Sequence, residues 1–160
     1  MHKIVLFYLL TYIAGIASSI LIDASWGVYL YQLNYFMHPA NRWWYSSLPF
    51  INYSFIISIT IILSFSIRYS NYSKNKIFES KPLVWLILFF ILMGMVTPIA
   101  VWPKMHKYYL IEDTKLLLIV LISYKIIDTP KKYIFFIWSY LIGVFYISWL
   151  AWTTGRTGLG

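Results

Sequence analysis

Four long runs of apolar residues, each with a charged residue directly beside at least one end, dominate the pattern along this chain of 160 residues. They occupy positions 4–22, 51–67, 82–102 and 133–152. The hydrocarbon core of a bilayer is about 30 Å thick, so a helix needs roughly 17 to 25 apolar residues to cross it. Each run has that length, and each therefore predicts a transmembrane helix.

A fifth run, at 108–127, is interrupted by Glu112, Asp113 and Lys115. We still expect it to cross, because these charged groups lie near one end, where long side chains can reach the membrane surface. The helix dipole also favours acidic side chains near the start of a helix. Glu112 and Lys115 are three residues apart, so we expect them to pair on the helix surface.

The stretch 26–37 is apolar and aromatic, but it is too short to cross a bilayer as an ordinary span. A re-entrant or interfacial segment is the favoured interpretation at this length. The predicted fold class is therefore all-α, a polytopic transmembrane helical bundle with about five spans plus this short segment. We expect residues 1–160 to form a single transmembrane domain.

The composition excludes a soluble domain. Hydrophobic residues make up 61% of the chain and charged residues 11%, and the mean hydropathy is +0.70. Ordinary soluble domains are about 45 to 50% apolar and about 25% charged. The net charge of +8 therefore does not indicate nucleic-acid binding, because in a membrane protein it is the location of the cations that matters. The chain has no Cys, which excludes thiol catalysis and Cys-based zinc sites.

Lys and Arg residues favour one orientation of the five spans. With a cytoplasmic N-terminus, eight of them fall in cytoplasmic segments and four in outer segments. The positive-inside rule then predicts a cytoplasmic N-terminus and an outer Gly160. If 26–37 counts as a sixth span, only the N-terminus changes sides. A secretory signal peptide at the N-terminus is disfavoured, because its apolar run is long for that role.

Several residues within the spans predict packing and helix ends. Small residues recur every fourth position and so share a helix face, which favours close packing; they are Thr11, Gly15 and Ser19, then Ser54 and Ser58, then Thr60 and Ser64. Gly94 and Pro98 predict a kink or an early end of the third span. The three His residues are far apart in the sequence, so we predict no metal site.

An aromatic face and two polar features are the candidate functional elements. In the last span one helix face carries four aromatic residues, which we expect to meet lipid or another helix rather than a sugar or an isoprenoid chain; they are Trp138, Phe145, Trp149 and Trp152. For Glu112, Asp113 and Lys115 we favour a structural role at the membrane surface. Arg156 lies among glycines just after the last span, and its guanidinium suits bidentate binding of phosphate.

The order of the segments along the chain is similar to that of a known family. The segments are, in order, SWGVYLYQLNYFMHPANRWW, a span that ends with VWPKMHKYY, the stretch EDTKLLLIVLISYKIIDTPKKY, and TTGRTGLG. This order resembles the amino-terminal part of the O-antigen ligase and polymerase family, and is most similar to the O-glycosylation ligases associated with exosortase. Lys115 and Arg156 match that branch, whereas the turn at 38–42 keeps Pro39 and Arg42 in a different order. The similarity covers nearly the whole chain.

The resemblance implies a protein of the bacterial inner membrane that transfers a glycan from a polyprenyl-pyrophosphate carrier, without a metal or any other cofactor. It implies that Arg156, Lys115 and Arg42 contact the lipid pyrophosphate. The family's catalytic residues lie in a later periplasmic loop, so we expect a truncated or split reading frame that is inactive without the remaining helices. The competing interpretation is a small non-enzymatic membrane subunit or helper. A transporter is disfavoured, because no span carries acidic residues at mid-membrane.

Overall fold

The computed structural model describes residues 3–37, 39, 44–72 and 74–154, and this part of the chain contains α-helices and short 3-10 turns but no β-strand. The helices are α1 (Lys3–Leu21), α2 (Ser25–Met37), α3 (Tyr53–Ile67), α4 (Lys81–Val96), α5 (Pro103–Ile126) and α6 (Pro130–Thr154). The 3-10 turns are Tyr45–Ser47, Tyr69–Tyr72, Ile77–Glu79 and Thr97–Ile99. The predicted all-α fold class is confirmed.

Three of the described helical segments are long and apolar enough to cross a membrane: Lys3–Leu21, Lys81–Ile99 and Pro130–Thr153. A fourth arises if Tyr53–Ile67 and Tyr69–Glu79, which are bent by 91°, count as one span. The prediction of membrane-spanning helices is confirmed, whereas a count of about five is not. The predicted span at 108–127 corresponds to α5. This helix is long enough to cross a membrane, but charged residues interrupt it and it is not apolar enough to be counted.

Contacts divide the described chain into two compact units. The first contains α1, α2, α3 and α6, and the second contains residues of 68–128 with α4 and α5. Helix α2 is the centre of the first unit, since it packs against α1, α3 and α6. It buries six residues: Ser25, Gly27, Val28, Tyr29, Leu30 and Asn34. The stretch expected to be re-entrant or interfacial is therefore the best-buried helix of this unit.

Contacts between side chains give the helix directions in the first unit. Tyr12 on α1 donates a hydrogen bond to the Tyr53 carbonyl at the start of α3, and Ser19 donates to Ser64 near the end of α3. Helices α1 and α3 therefore run parallel. Helix α2 runs opposite to both, because the late residue Asn34 meets the early residue Tyr8.

Helix α6 runs in the same direction as α2. Tyr29 contacts the first turn of α6 at Lys132, and Phe36 lies against Gly143 further along. Helix α6 is consequently antiparallel to α1, and the start of α1 lies at the same end of the unit as Thr154. The five-span arrangement requires α1 and α6 to be parallel, with a cytoplasmic N-terminus and an outer C-terminal end. The first unit does not have that arrangement, because α2 returns the chain between α1 and α3. The side of the membrane on which each terminus lies stays a prediction.

Small residues allow this close packing, as predicted. A Cβ atom on Gly27 would lie 2.6 Å from Ser19 Oγ and 2.8 Å from Ile61 Cγ1. A Cβ atom on Gly15 would lie 2.9 Å from a Leu30 methyl group. Ser19 and Ser64 are fully buried at the same level. Backbones that approach this closely gain dispersion contacts, the main source of helix association where lipid surrounds the helices.

The second unit is built on a helical hairpin of α4 and α5. Helix α4 ends at Val96 and continues as the 3-10 turn Thr97–Ile99, which confirms the early end predicted from Pro98. Asn75 donates from its amide to the carbonyls of Tyr124 and Ile127, at 2.7 and 3.0 Å. This side chain satisfies carbonyl groups that the end of α5 leaves without helical partners.

The helix directions predict the relative location of the two termini. An epitope tag placed before Met1 and one placed after Gly160 should lie on the same side of the membrane, because α1 and α6 are antiparallel. Antibody access to each tag in sealed and in permeabilised membrane vesicles measures this directly. Access to only one tag in sealed vesicles of one orientation would contradict the packing of α6 beside α2.

The glycines predict a contrast in stability. Gly27→Ala should lower the free energy of unfolding by about 1 to 3 kcal/mol, the usual cost of overpacking, because Ser19 and Ile61 must move. Gly94→Ala is the matched control, since a Cβ atom there meets nothing within 4 Å and Ala is the better helix former. Thermal unfolding of the detergent-solubilised variants compares the two. Equal melting temperatures would show that α2 does not pack as described.

Candidate functional site

Lys115 is the one predicted site residue that falls within the described part of the chain. Its ammonium lies 2.6 Å from the Glu112 carboxylate, which confirms the predicted pairing. The two side chains are 64% and 47% exposed. On α5 the half-buried positions include His106, Asp113 and Leu117, so the ion pair lies on the open side of the helix. Arg42 and Arg156 lie outside the described residues.

A buried polar cluster in the first unit was not predicted from the sequence. Tyr8 donates a hydrogen bond to Asn34 Oδ1 at 2.7 Å, and Asn34 Nδ2 donates to Ser54 Oγ at 2.9 Å. Asn34 is only 4% exposed. The cluster thus links α1, α2 and α3 through hydrogen bonds that replace contact with water.

An aromatic group packs beside this polar cluster. The Tyr8 ring lies 5.4 Å from Trp44 and 5.5 Å from Tyr53, and Tyr12 meets Tyr53 edge-on at 5.1 Å. Trp44 and Tyr8 are each 2% exposed. Among the described residues, these hydrogen bonds and ring contacts join neutral amides, hydroxyls and rings. Such groups fix the register of three helices.

The second polar group of the first unit is an ion pair at the end where α2 and α6 begin. Lys132 Nζ lies 3.2 Å from Asp23 Oδ2, and the two side chains are 21% and 28% exposed. Asp23 also accepts a hydrogen bond from the Ser25 amide at 2.9 Å and so caps the start of α2. Tyr29 donates to the Lys132 carbonyl at 3.0 Å. Together these contacts attach the first turn of α6 to the turn between α1 and α2.

The electrostatics of Asp23 follow from this geometry. Burial alone would raise the pKa of its carboxyl group, but the hydrogen bonds from Ser25 and the Lys132 ammonium together hold that pKa below its usual value. Asp23 is therefore ionised at neutral pH. Sequence analysis did not pair it with Lys132, because the five-span arrangement placed the two residues on opposite sides of the membrane.

Metal chemistry has no candidate centre in the residues that the structure describes, since no three His, Asp or Glu side chains are grouped there. No protein-family model, no curated protein and no solved structure matches this chain.

The Asp23–Lys132 pair predicts a coupling energy. Asp23→Asn and Lys132→Gln should each destabilise the protein, and the double variant should lose less than the sum, with a coupling of about 1.5 to 3 kcal/mol typical of hydrogen bonds to charged groups. Asn keeps the cap on α2, so the cycle isolates the ion pair. Thermal unfolding in detergent provides the measurement. Lys76→Gln removes an ion pair that is 69% and 68% exposed, and should change stability little.

The Asp23–Lys132 pair also predicts how the stability of the protein depends on pH. The pKa of Asp23 in the folded state is below its unfolded value of about 3.9. The contribution of the ionised Asp23 to stability is therefore fully present above that value, and it is lost as the pH falls through the folded-state pKa. The coupling should therefore be unchanged between pH 5 and 8 and should disappear in acid. A coupling that is absent at pH 7 would contradict the ion pair.

Proposed function

We propose that this chain is the amino-terminal membrane portion of an O-antigen ligase- or polymerase-like protein of the bacterial inner membrane. Such a protein transfers a glycan from a polyprenyl-pyrophosphate carrier to an acceptor. The observation that supports the proposal is the exposed ion pair of Glu112 and Lys115 on α5. The resemblance described above supplies the substrate class.

The ion pair of Glu112 and Lys115 lies on α5, and not on one of the three helices that are long and apolar enough to cross a membrane. Charged side chains near a membrane face water, a polar cavity or protein, because contact with lipid is costly. The described residues leave this pair open. A polar cavity completed by further helices would cover it and would suit a charged substrate.

The apolar surfaces agree with a membrane location and with further helices. Leu83 is the one residue that α4 buries. The aromatic face of α6 is exposed at all four positions, Trp138, Phe145, Trp149 and Trp152. This face is directed away from the buried residues Ser139 and Gly143. It is available to lipid or to a neighbouring helix.

Three cations are the candidates for contact with a phosphate group in this proposal. Arg156 and Arg42 would each offer two parallel N–H donors to phosphate oxygens, and Lys115 would add a point charge. Glu112 now neutralises Lys115, so the phosphate would compete with that carboxylate. No cofactor is required, because the pyrophosphate is itself the leaving group. Alone, the chain would bind the carrier without transferring the glycan.

The orientation follows from the helix directions and the cations together. Arg68 directly follows the end of α3, and Lys131 and Lys132 lie in the first turn of α6, which is the same end of the first unit. The positive-inside rule would place this end in the cytoplasm. The N-terminus and the end of α6 would then be periplasmic, as in the six-span alternative. Arg156 would lie two residues beyond α6, on the side where the carrier presents its glycan.

A non-enzymatic membrane subunit is the second candidate. The neutral cluster around Asn34 favours it, because these side chains serve helix packing and offer no nucleophile with a base. In that case the exposed faces of α4 and α6 would contact the helices of a partner protein, and the cations would not distinguish a pyrophosphate lipid from other lipids.

Carrier binding tests the proposal. In nanodiscs, Arg156→Lys and Arg156→Ala should each weaken binding of a fluorescent polyprenyl pyrophosphate by about 1 to 3 kcal/mol, since a hydrogen bond to a charged group is lost. Lys115→Gln should weaken it as well. Helix content and expression should not change. Lys76→Gln is the matched control, because it removes an exposed cation from another ion pair.

Two results would contradict the glycan proposal. Variants that all bind the carrier like the parent chain would show that Arg156 and Lys115 do not hold it. Equal binding of polyprenol without phosphate would show that only the isoprenoid chain is recognised. Either result would favour the subunit interpretation.

A further inference from the structure

The tip of the α4–α5 hairpin, residues 97–107, exposes an unusual concentration of apolar side chains. Val101 is 91% exposed, Ile99 81% and Trp102 73%. Beside them lies an open depression of about 680 Å³, lined by residues Val101, Trp102, Pro103, Lys104 and Met105. Its lining is almost entirely apolar. Apolar surface of this kind marks a site of contact with lipid or protein.

Local bonding gives the tip a defined shape. The Met93 carbonyl accepts a hydrogen bond from Thr97 Oγ1 at 3.1 Å and lies 3.0 Å from His106 Nε2. A carbonyl oxygen can only accept, so Nε2 must carry the proton. Pro98 and Pro103 further restrict the backbone on either side of the exposed residues.

Lys104 lines the apolar depression, and a second cation, Lys107, lies one turn further along α5. Lys104 and Lys107 are three residues apart in the first turns of α5, so they share one helix face, and both are exposed. No acidic residue occurs between positions 97 and 111. The next acid along the chain, Glu112, is paired with Lys115. The tip therefore carries positive charge with no acidic neighbour in its own sequence.

We propose that this tip is a binding site for one anionic phospholipid. The phosphate would lie between Lys104 and Lys107, and an acyl chain would occupy the depression beside Val101 and Trp102. A Trp ring at the headgroup level with Lys side chains reaching the phosphates is the usual chemistry of the membrane surface. Charge complementarity selects an anionic lipid over a zwitterionic one. This inference is independent of the proposed glycan carrier.

Native mass spectrometry of the detergent-solubilised chain tests the site. Phosphatidylglycerol should be retained in preference to phosphatidylcholine with the same acyl chains. Lys104→Gln and Lys107→Gln should each reduce this preference about fivefold, which corresponds to about 1 kcal/mol for each cation near an anionic lipid. Lys104→Arg and Lys107→Arg should each keep the preference for phosphatidylglycerol. Lys74→Gln with Lys131→Gln is the matched control, because it removes two exposed lysines elsewhere and should preserve the preference.

A second measurement places the lipid at the tip. Phosphatidylglycerol with brominated acyl chains should quench Trp emission saturably, and Trp102→Phe should remove that saturable component. Equal retention of the two lipids would overturn the proposal. So would a preference unchanged by the Gln variants at 104 and 107, or saturable quenching that survives Trp102→Phe.

Discussion

The packing of α2 against three other helices is the interaction on which the first unit depends. Helix α2 spans about 20 Å at 1.5 Å per residue, too little to cross a hydrocarbon core of about 30 Å by itself. It is stable in the interior because Gly27 on α2, Gly15 on α1 and Gly143 on α6 let the neighbouring helices approach closely. Helix α6, which follows α3 only after the whole second unit, reaches this position through contacts with α2.

Polar groups in the first unit are distributed according to the cost of burying them. The interior holds neutral partners, in which Tyr8, Asn34 and Ser54 satisfy one another. The ion pair of Asp23 and Lys132 lies at one end, where partial exposure reduces the desolvation cost. Neutral interior hydrogen bonds therefore set helix register, and the charge pair fixes where the chain re-enters the unit at α6.

The second unit shows the opposite distribution. Its helices α4 and α5 bury few residues, and α5 carries the pair of Glu112 and Lys115 on its open side. Surfaces of this kind are completed by lipid, by water or by other helices. This difference is the physical basis for proposing Lys115 and the hairpin tip as contact sites for charged ligands, whereas the described residues of the first unit pack against one another.

The sequence by itself determined the features that depend on neighbours along the chain. Run length and composition predict membrane helices, Pro98 ends α4, and a spacing of three residues pairs Glu112 with Lys115. Small residues at a spacing of four predict which faces of α1 and α3 pack. Each of these effects acts within a few turns of one helix, so periodicity and residue type were sufficient to predict it.

Only the tertiary structure decided the direction of α2 and the partners of its side chains. Lys132 lies more than a hundred residues from Asp23, and no local pattern specifies that separation. The length of α2 favoured a surface segment, because the spanning criterion assumes that lipid surrounds each helix. Packing against three helices removes that assumption, since protein then replaces the lipid around a short helix. Because α2 runs between them, α1 and α6 are antiparallel, whereas the five-span arrangement made them parallel.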